Sequence, residues 1–416
     1  MKKSNMARGW ITAVATMLTV MLTVLPLNTI SIFLRPMCES LGITTAEISV
    51  CFSLNAVGSV LTALFYGRLV KRFGKKPLIA VGGFTVFLYL FTMAVSTNKY
   101  LFYITAVVAG FGGTTSGFAM GNLTMTEWFD KGRGTMFSSL TITLSLFVAI
   151  CSPIFASGIE RFGYQPVLLV ESIVCGGGII LMGLFLISDT PEKYGMLPIG
   201  YVPPVETSDA GAQTSLTMAQ IKRTLPFFIA LLISMLSCTV GRVATTHGNN
   251  FFRSLGLTSI EASYVSSANA IATLVWSAIF GIMVDKFSPK VAAVATGCCA
   301  AAVMLLNPYL AGLSGALLYA IFVEAESGIA ATYSPAMMTK IYGKKEAASV
   351  IGLVRCFASV GSIIGPTVAG VLYDKYNSYN VCLTVTGILM SVVVLLVFAL
   401  DNKKVIAQVE RLKQNG

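Results

Sequence analysis

Leu41-Gly42-Ile43-Thr44-Thr45-Ala46-Glu47 returns, 214 residues later, as Leu255-Gly256-Leu257-Thr258-Ser259-Ile260-Glu261. The same offset pairs Asn55-Ala56 with Asn269-Ala270, and Gly67 and Arg72-Phe73 with Gly281 and Lys286-Phe287. It also pairs Glu160-Arg161-Phe162 with Asp374-Lys375-Tyr376. One ungapped offset that holds at four places marks an internal repeat spanning half the chain.

Around these anchors the chain is apolar. Of 416 residues, 55% are hydrophobic and only 11% charged, with a mean hydropathy of +0.78. A soluble domain carries about 25% charged residues, so this composition excludes an ordinary soluble enzyme, a disordered chain and a disulfide scaffold. Apolar runs long enough to cross a bilayer lie near 10–34, 46–69, 77–95, 101–126, 135–158 and 165–187. Six more lie near 226–250, 260–284, 290–310, 313–338, 347–372 and 379–400. The first is too long for a signal peptide and reads as a span. The nine Cys form no Cys-x-x-Cys motif and read as small apolar packing groups.

The expected architecture is therefore an all-α membrane protein of twelve transmembrane helices. It comprises an N-terminal six-helix bundle over 1–187, a Pro-rich linker over 188–225, a C-terminal six-helix bundle over 226–400 and a tail over 401–416. An even number of spans per half gives both halves one orientation, so the repeats are parallel, about an axis along the membrane normal. With the N-terminus inside, 22 of the 29 Lys and Arg fall in inner segments, five outside and two, Arg242 and Arg355, within spans. That bias places both termini in the cytoplasm. It also accounts for the net charge of +11 without nucleic acid.

The loop between spans 2 and 3 reads Gly67-Arg68-Leu69-Val70-Lys71-Arg72-Phe73-Gly74-Lys75-Lys76, and its copy begins Gly281-Ile282-Met283-Val284-Asp285-Lys286. Both resemble the Gly-x-x-x-Asp-(Arg/Lys)-x-Gly-(Arg/Lys)-(Arg/Lys) signature of the major facilitator superfamily. The first copy has Lys71 where the signature has its acid, and the second has Ser288 for its second Gly. Trp128-Phe129-Asp130-Lys131-Gly132-Arg133-Gly134 is similar to the loop after span 4 of the monocarboxylate transporter and oxalate/formate antiporter branch. The ends Tyr333-Ser334-Pro335 and Lys222-Arg223-Thr224-Leu225-Pro226 are similar to that branch too. The resemblance implies a transporter working by alternating access, with spans 1, 4, 7 and 10 lining a central cavity. It also implies a cytoplasmic latch of Gly67, Arg72, Gly74, Asp285, Lys286 and Arg133. Span 8 lacks the Arg typical of the branch, in Trp276-Ser277-Ala278-Ile279-Phe280.

A charge inside a bilayer is costly and usually faces a cavity or a partner. Four lie in C-terminal spans: Arg242, Glu324, Glu326 and Arg355. Counted along the helices, they form a positive, negative, positive series in depth. An Arg offers a planar fork to a carboxylate, so Arg242 and Arg355 are candidate substrate clamps. Asn28, the repeat mate of Arg242, and Tyr333 join them as candidate substrate contacts. Glu324 and Glu326 are candidate proton carriers. The bland alternative is that these charges neutralise one another and only hold helices together. His247, the only His, is expected at the interface with a local hydrogen bond, and Glu171 is expected to reach the headgroups. Gly113, Gly117 and Gly121 in span 4, and Gly361 and Gly365 in span 11, are spaced for close helix approach.

The leading expectation is a monomeric transporter in the plasma membrane that moves a small organic anion by proton symport or anion exchange. An exporter of amphipathic or drug-like compounds is the alternative, weakened by Ser152-Pro153 in span 5, where drug antiporters carry a Gly-rich motif. A non-transporting sensor is remote. No Walker loop, metal-ligand cluster or nucleophile triad is present, so neither an enzyme nor a cofactor nor a metal is expected.

Overall fold

Thr44 and Thr258 begin spans 2 and 8 in the same way. Each hydroxyl accepts from the backbone N–H of Glu47 or Glu261, and each Glu carboxylate accepts from the Thr backbone N–H. These reciprocal capping boxes satisfy N–H groups the first turn would leave orphaned. The preceding Gly42 and Gly256 sit at φ +64° and +92°, where a side chain would be strained. The repeated sequence is thus one local structure built twice.

The computed structural model describes residues 3–130, 133–201, 218–329, 333–342 and 344–400. It divides into two units, Met1–Val205 and Glu206–Gly416. In the first, span 1 is Lys3–Leu41, span 2 Thr45–Phe73, span 3 Lys75–Val95 and span 5 Arg133–Phe162. Span 4 is broken at Ser116 into Lys99–Thr115 and Phe118–Trp128. Span 6 begins as Tyr164–Ser172 and widens into π-turns at Ile173–Gly177 and Met182–Leu186. In the second unit, span 7 is Leu225–Ser254, span 8 Ser259–Lys286, span 9 Pro289–Leu305, span 11 Lys344–Tyr376 and span 12 Tyr379–Leu400. Span 10, expected as one helix over 313–338, is interrupted. Gly312–Val323 tightens into a 3-10 turn at Glu324–Glu326, and Ser334–Tyr342 resumes the helix. Outward-facing Leu64, Phe185 and Leu395 are 65, 75 and 66% exposed, as lipid-facing positions are in a membrane protein.

The repeat extends to interhelical contacts. Asn55 donates from Nδ2 to the Ala106 carbonyl at 3.3 Å, and Asn269 to the Ala320 carbonyl at 2.9 Å. Both partners differ by the same 214 residues. Spans 2 and 4 then close up: a Cβ at Gly110 would lie 2.3 Å from the Asn55 carbonyl oxygen, and one at Gly58 2.0 Å from that of Val107. The mate of Gly110 is Glu324. A site of backbone contact in one unit is therefore a carboxylate in the other.

Spans 7 and 11 pack as closely. A Cβ at Gly361 would lie 2.1 Å from the Met235 carbonyl oxygen, and one at Gly365 2.8 Å from that of Thr239. Gly361→Ala is expected to force the two helices apart and destabilise the protein by about 1–3 kcal/mol. A lowered thermal midpoint of the purified protein checks this; an unchanged one contradicts it.

The stretch read as linker is partly fastened down. Buried Trp128 donates from Nε1 to the Asp189 carbonyl at 3.0 Å. Ile199 N–H donates to the Trp128 carbonyl at 2.7 Å, and Asp130 N–H to that of Ile199 at 2.9 Å. The Trp-Phe-Asp motif therefore pins residues 189–199 to the N-terminal unit. The tail over 401–416 lies outside the described residues.

Candidate functional site

Span 10 runs antiparallel to span 7, and three contacts fix the register. Tyr342 Oη and Thr224 Oγ1 hydrogen-bond at one end. Glu326 Oε1 lies where a Cβ at Gly241 would be 2.4 Å away. The Phe252 and Tyr319 rings meet at 6.2 Å at the other end. In this register Ser234 is level with Tyr333 and Ser334. Ser234, Ser237 and Gly241 stand at i, i+3 and i+7, on one face of span 7.

The 3-10 turn separates the two glutamates. Glu324 turns toward span 8, where Thr273 Oγ1 donates to its Oε2 at 2.9 Å. Thr273 is the repeat mate of Ser59, which donates to the Gly110 carbonyl at 3.0 Å. Glu326 turns toward span 7 and packs on Gly241. It is 7% exposed, and its Oε2 has no hydrogen-bond partner among the described residues. The hydroxyls of Ser234, Ser237, Ser327 and Ser334 are likewise enclosed without a partner among those residues. Native interiors rarely leave such atoms unmet, and a seam of them is suited to water or a polar ligand.

Arg242 follows Gly241 and is half-buried. Its guanidinium has no salt bridge or hydrogen bond among the described residues. Neutralisation of Arg242 by Glu324 or Glu326 through an ion pair does not hold among the described residues. Neither does the graded series in depth: Glu326 is level with Gly241, so both glutamates share the layer of Arg242. Gly361 and Gly365 set the register of spans 7 and 11 and put the Arg355 backbone level with Leu231. That is eleven residues, about 16 Å, from Arg242 along the helix. The Arg355 side chain lies outside the described residues. Tyr333 is fully buried, two turns from Glu326. Asn28, in the N-terminal unit, donates from Nδ2 to the Val24 carbonyl of its own helix at 2.9 Å.

The Major Facilitator Superfamily model matches residues 16–323 and again 227–414. The chain belongs to the major facilitator superfamily. It is a multi-pass membrane transporter rather than an enzyme. An uncharacterized transporter of this superfamily from Escherichia coli, YhjX, is 22% identical over 87% of this chain and 88% of its own length. Monocarboxylate transporter 4 of Gallus gallus is 23% identical over 90% of this chain and 78% of its own. The crystal structure of the nucleoside transporter NupG aligns with a TM-score of 0.72 at 15% identity, covering 94% of this chain and 98% of that one. At that identity the likeness concerns the fold alone. Relatives named for such different cargoes leave the substrate class to be argued from this chain's own residues.

The superfamily loop signature is built differently from its sequence reading. Gly74, at φ +79°, makes the turn between spans 2 and 3. Gly67 lies inside span 2 with open space where a Cβ would stand. Arg72 is exposed, its guanidinium 5.4 Å from the Phe73 ring centroid. Two lysines bind this loop to other spans: Lys75, 3% exposed, pairs with Glu127 at the end of span 4, and Lys76 donates to the Leu184 carbonyl of span 6 at 3.5 Å. In the second copy Ser288 replaces the glycine and caps span 9, accepting from Val291 N–H at 3.2 Å. Lys286 is exposed, and the side chains of Asp285 and Arg133 lie outside the described residues.

Two further expectations are corrected. His247 is 2% exposed and bonds across helices, its Nε2 to the Pro366 carbonyl at 3.1 Å and its Nδ1 to Tyr379 Oη at 3.4 Å. Glu171 is 4% exposed and faces Thr29 of span 1, because span 6 packs that face inward. Gly241, Ser234, Ser237 and Glu127 escaped the sequence reading, which had Lys75 only as part of the loop signature. Only the i, i+3, i+7 spacing of the first three was there to be seen. Among the described residues no three His, Cys, Asp or Glu side chains are grouped to hold a metal ion.

Gly241→Ala tests the seam. The new methyl would displace the Glu326 carboxylate from span 7 while leaving both charges in place. The expected result is a protein that folds but transports with altered pH dependence, by at least threefold at its optimum. A variant whose pH profile superimposes on the wild type contradicts it.

Proposed function

We propose that the chain is a proton-coupled transporter of a small organic anion, working by alternating access. Arg242 carries the reading. A guanidinium within a membrane span, with no anionic partner among the described residues, is suited to an anion brought by the substrate. Its fork matches a carboxylate in two parallel hydrogen bonds. Glu326, one residue away in register, is the proton carrier. Its neutral form is tolerated on Gly241, and the anionic form attracts Arg242 when no substrate is bound. A proton on Glu326 therefore releases Arg242 for the substrate anion, so the two bind together and their movement is linked. The hydroxyls of Ser234, Ser237 and Ser334 give the proton a wetted path from Glu326 toward the Tyr342–Thr224 end. That end faces the cytoplasm of the cell, with both termini, by the distribution of Lys and Arg. Arg355 and Tyr333 guide the anion nearer that end. The protein acts as a monomer.

Counterflow in proteoliposomes tests the reading. Vesicles loaded with single mono- or dicarboxylates are followed for uptake of labelled tracer, with and without a pH gradient. One acid driving its own uptake, enhanced by an inward proton gradient, supports it. No uptake of any acid by folded protein overturns it and moves the weight to amphipathic export.

A further inference from the structure

Glu171 is a second carboxyl group sealed inside the membrane-spanning part, and the transport reading above makes no use of it. It lies on span 6, 4% exposed. Its Oε1 receives one long hydrogen bond, 3.5 Å, from Thr29 Oγ1 of span 1, and that hydroxyl also donates to the Leu25 carbonyl at 3.1 Å. Span 5 presents Cys151 and the next turn of span 6 presents Cys175, both within electrostatic reach of the carboxyl group. Span 3 offers Gly83 and Phe87 against that same turn. Among the described residues no Lys, Arg or His faces Glu171 from any of these helices. An ionised carboxylate so placed would be uncompensated. A metal cation would demand several oxygen ligands, and one carboxyl with one shared hydroxyl does not supply them. The proton is the ligand these surroundings fit.

The backbone and a nearby cleft add to this. Immediately after Ser172, span 6 widens into the π-turn Ile173–Gly177, a distortion that recurs at functional positions of helices. Tyr164 stands seven residues before Glu171, on the same face and about 10 Å along the axis. It is 5% exposed, and its Oη has no hydrogen-bond partner among the described residues. Tyr164 also lines a cleft of about 500 Å³ at that end of the unit, together with Glu39, Ser40 and Gln165. An open cleft therefore ends at a buried phenol two helical turns from the buried acid.

We propose that Glu171 is a second proton-binding site of this protein, held in the N-terminal unit and reached through the Tyr164 cleft. The reaction is the reversible addition of one proton to the carboxylate, taken from water in the cleft. Position 385, the repeat mate of Glu171, is Val, and the mates of Glu324 and Glu326 are Gly110 and Gly112. Each unit thus carries its own buried acid on a different span. The proposal does not rest on the anion reading, because a proton site here stands whatever the substrate.

Infrared difference spectroscopy on the full-length protein in lipid nanodiscs tests it without any substrate. Wild type, Glu171→Gln, Glu326→Gln and Thr29→Val are stepped from acid to alkaline buffer while the carbonyl stretch of protonated carboxyl groups is followed. The expected result is one titrating component that disappears in Glu171→Gln and persists in Glu326→Gln. Thr29→Val, which keeps the acid, should retain the component and move its midpoint by up to about one pH unit, the worth of one hydrogen bond. A Glu171→Gln spectrum that superimposes on the wild type at every pH overturns the proposal. If Glu171→Gln does not fold, Thr29→Val decides alone, and an unmoved midpoint overturns it. Failed counterflow with these results intact would sink the anion reading and leave the proton site standing.

Discussion

Arg242→Ala is expected to abolish measurable uptake of the organic anion, lowering apparent affinity by about 100-fold or more. The magnitude follows from the chemistry. Two charge-assisted hydrogen bonds in a low-dielectric setting contribute about 1.5–3 kcal/mol each, and each 1.4 kcal/mol is a tenfold change. Arg242→Lys should recover part of the loss, since an ammonium keeps the charge but not the fork. Because the guanidinium has no ion pair among the described residues, its removal should leave the thermal midpoint nearly unchanged. That combination separates a substrate contact from a structural charge. Tracer counterflow and a melting curve on the same preparation check it. Wild-type counterflow in the alanine variant would contradict the assignment, and so would a large loss of stability with activity retained in the survivors.

Glu326→Gln should uncouple transport from protons. The ratio of uptake with and without a pH gradient falls to about one, while exchange at equal pH persists, because the amide resembles the neutral acid in shape and cannot release a proton. Glu324→Gln should do much less, because an amide oxygen still accepts the Thr273 hydroxyl that holds Glu324 against span 8. Coupling lost in Glu324→Gln and retained in Glu326→Gln would reverse the assignment of the two acids.

That contrast is visible only in three dimensions. Two residues apart on an ideal helix, the glutamates point about 200° from one another, and the sequence offers no way to tell which faces which neighbour. The 3-10 turn at Glu324–Glu326 sends one to span 8 and the other to span 7. A glycine at 241, some 85 residues earlier, makes room for the second.

Glu171 shows the same limit from the other side. Its position in a helix near a loop suggests an acid that reaches water, and nothing local marks the face that packs on Thr29. The loop signature shows it a third time. The motif draws the eye to Gly67 and Arg72, whereas the fold buries Lys75 and pairs it with Glu127.

The sequence by itself determined the class of molecule. Long apolar runs leave no soluble alternative, since a backbone in hydrocarbon must bond to itself and does so as helices. The 214-residue repeat determined that each half is built alike, down to the capping boxes at Thr44 and Thr258 and the amides of Asn55 and Asn269. These features are local or are copied at a constant offset, so they can be read along the chain. Only the tertiary structure decided which buried charges meet. It placed Arg242 level with both glutamates and left its guanidinium without a described partner. It put the Arg355 backbone three turns away and enclosed Glu171. The physical reason is register. The partner of a side chain on one span is set by how far a second span slides along it, and that sliding is arrested by glycine contacts and hydroxyl bonds between residues far apart in sequence.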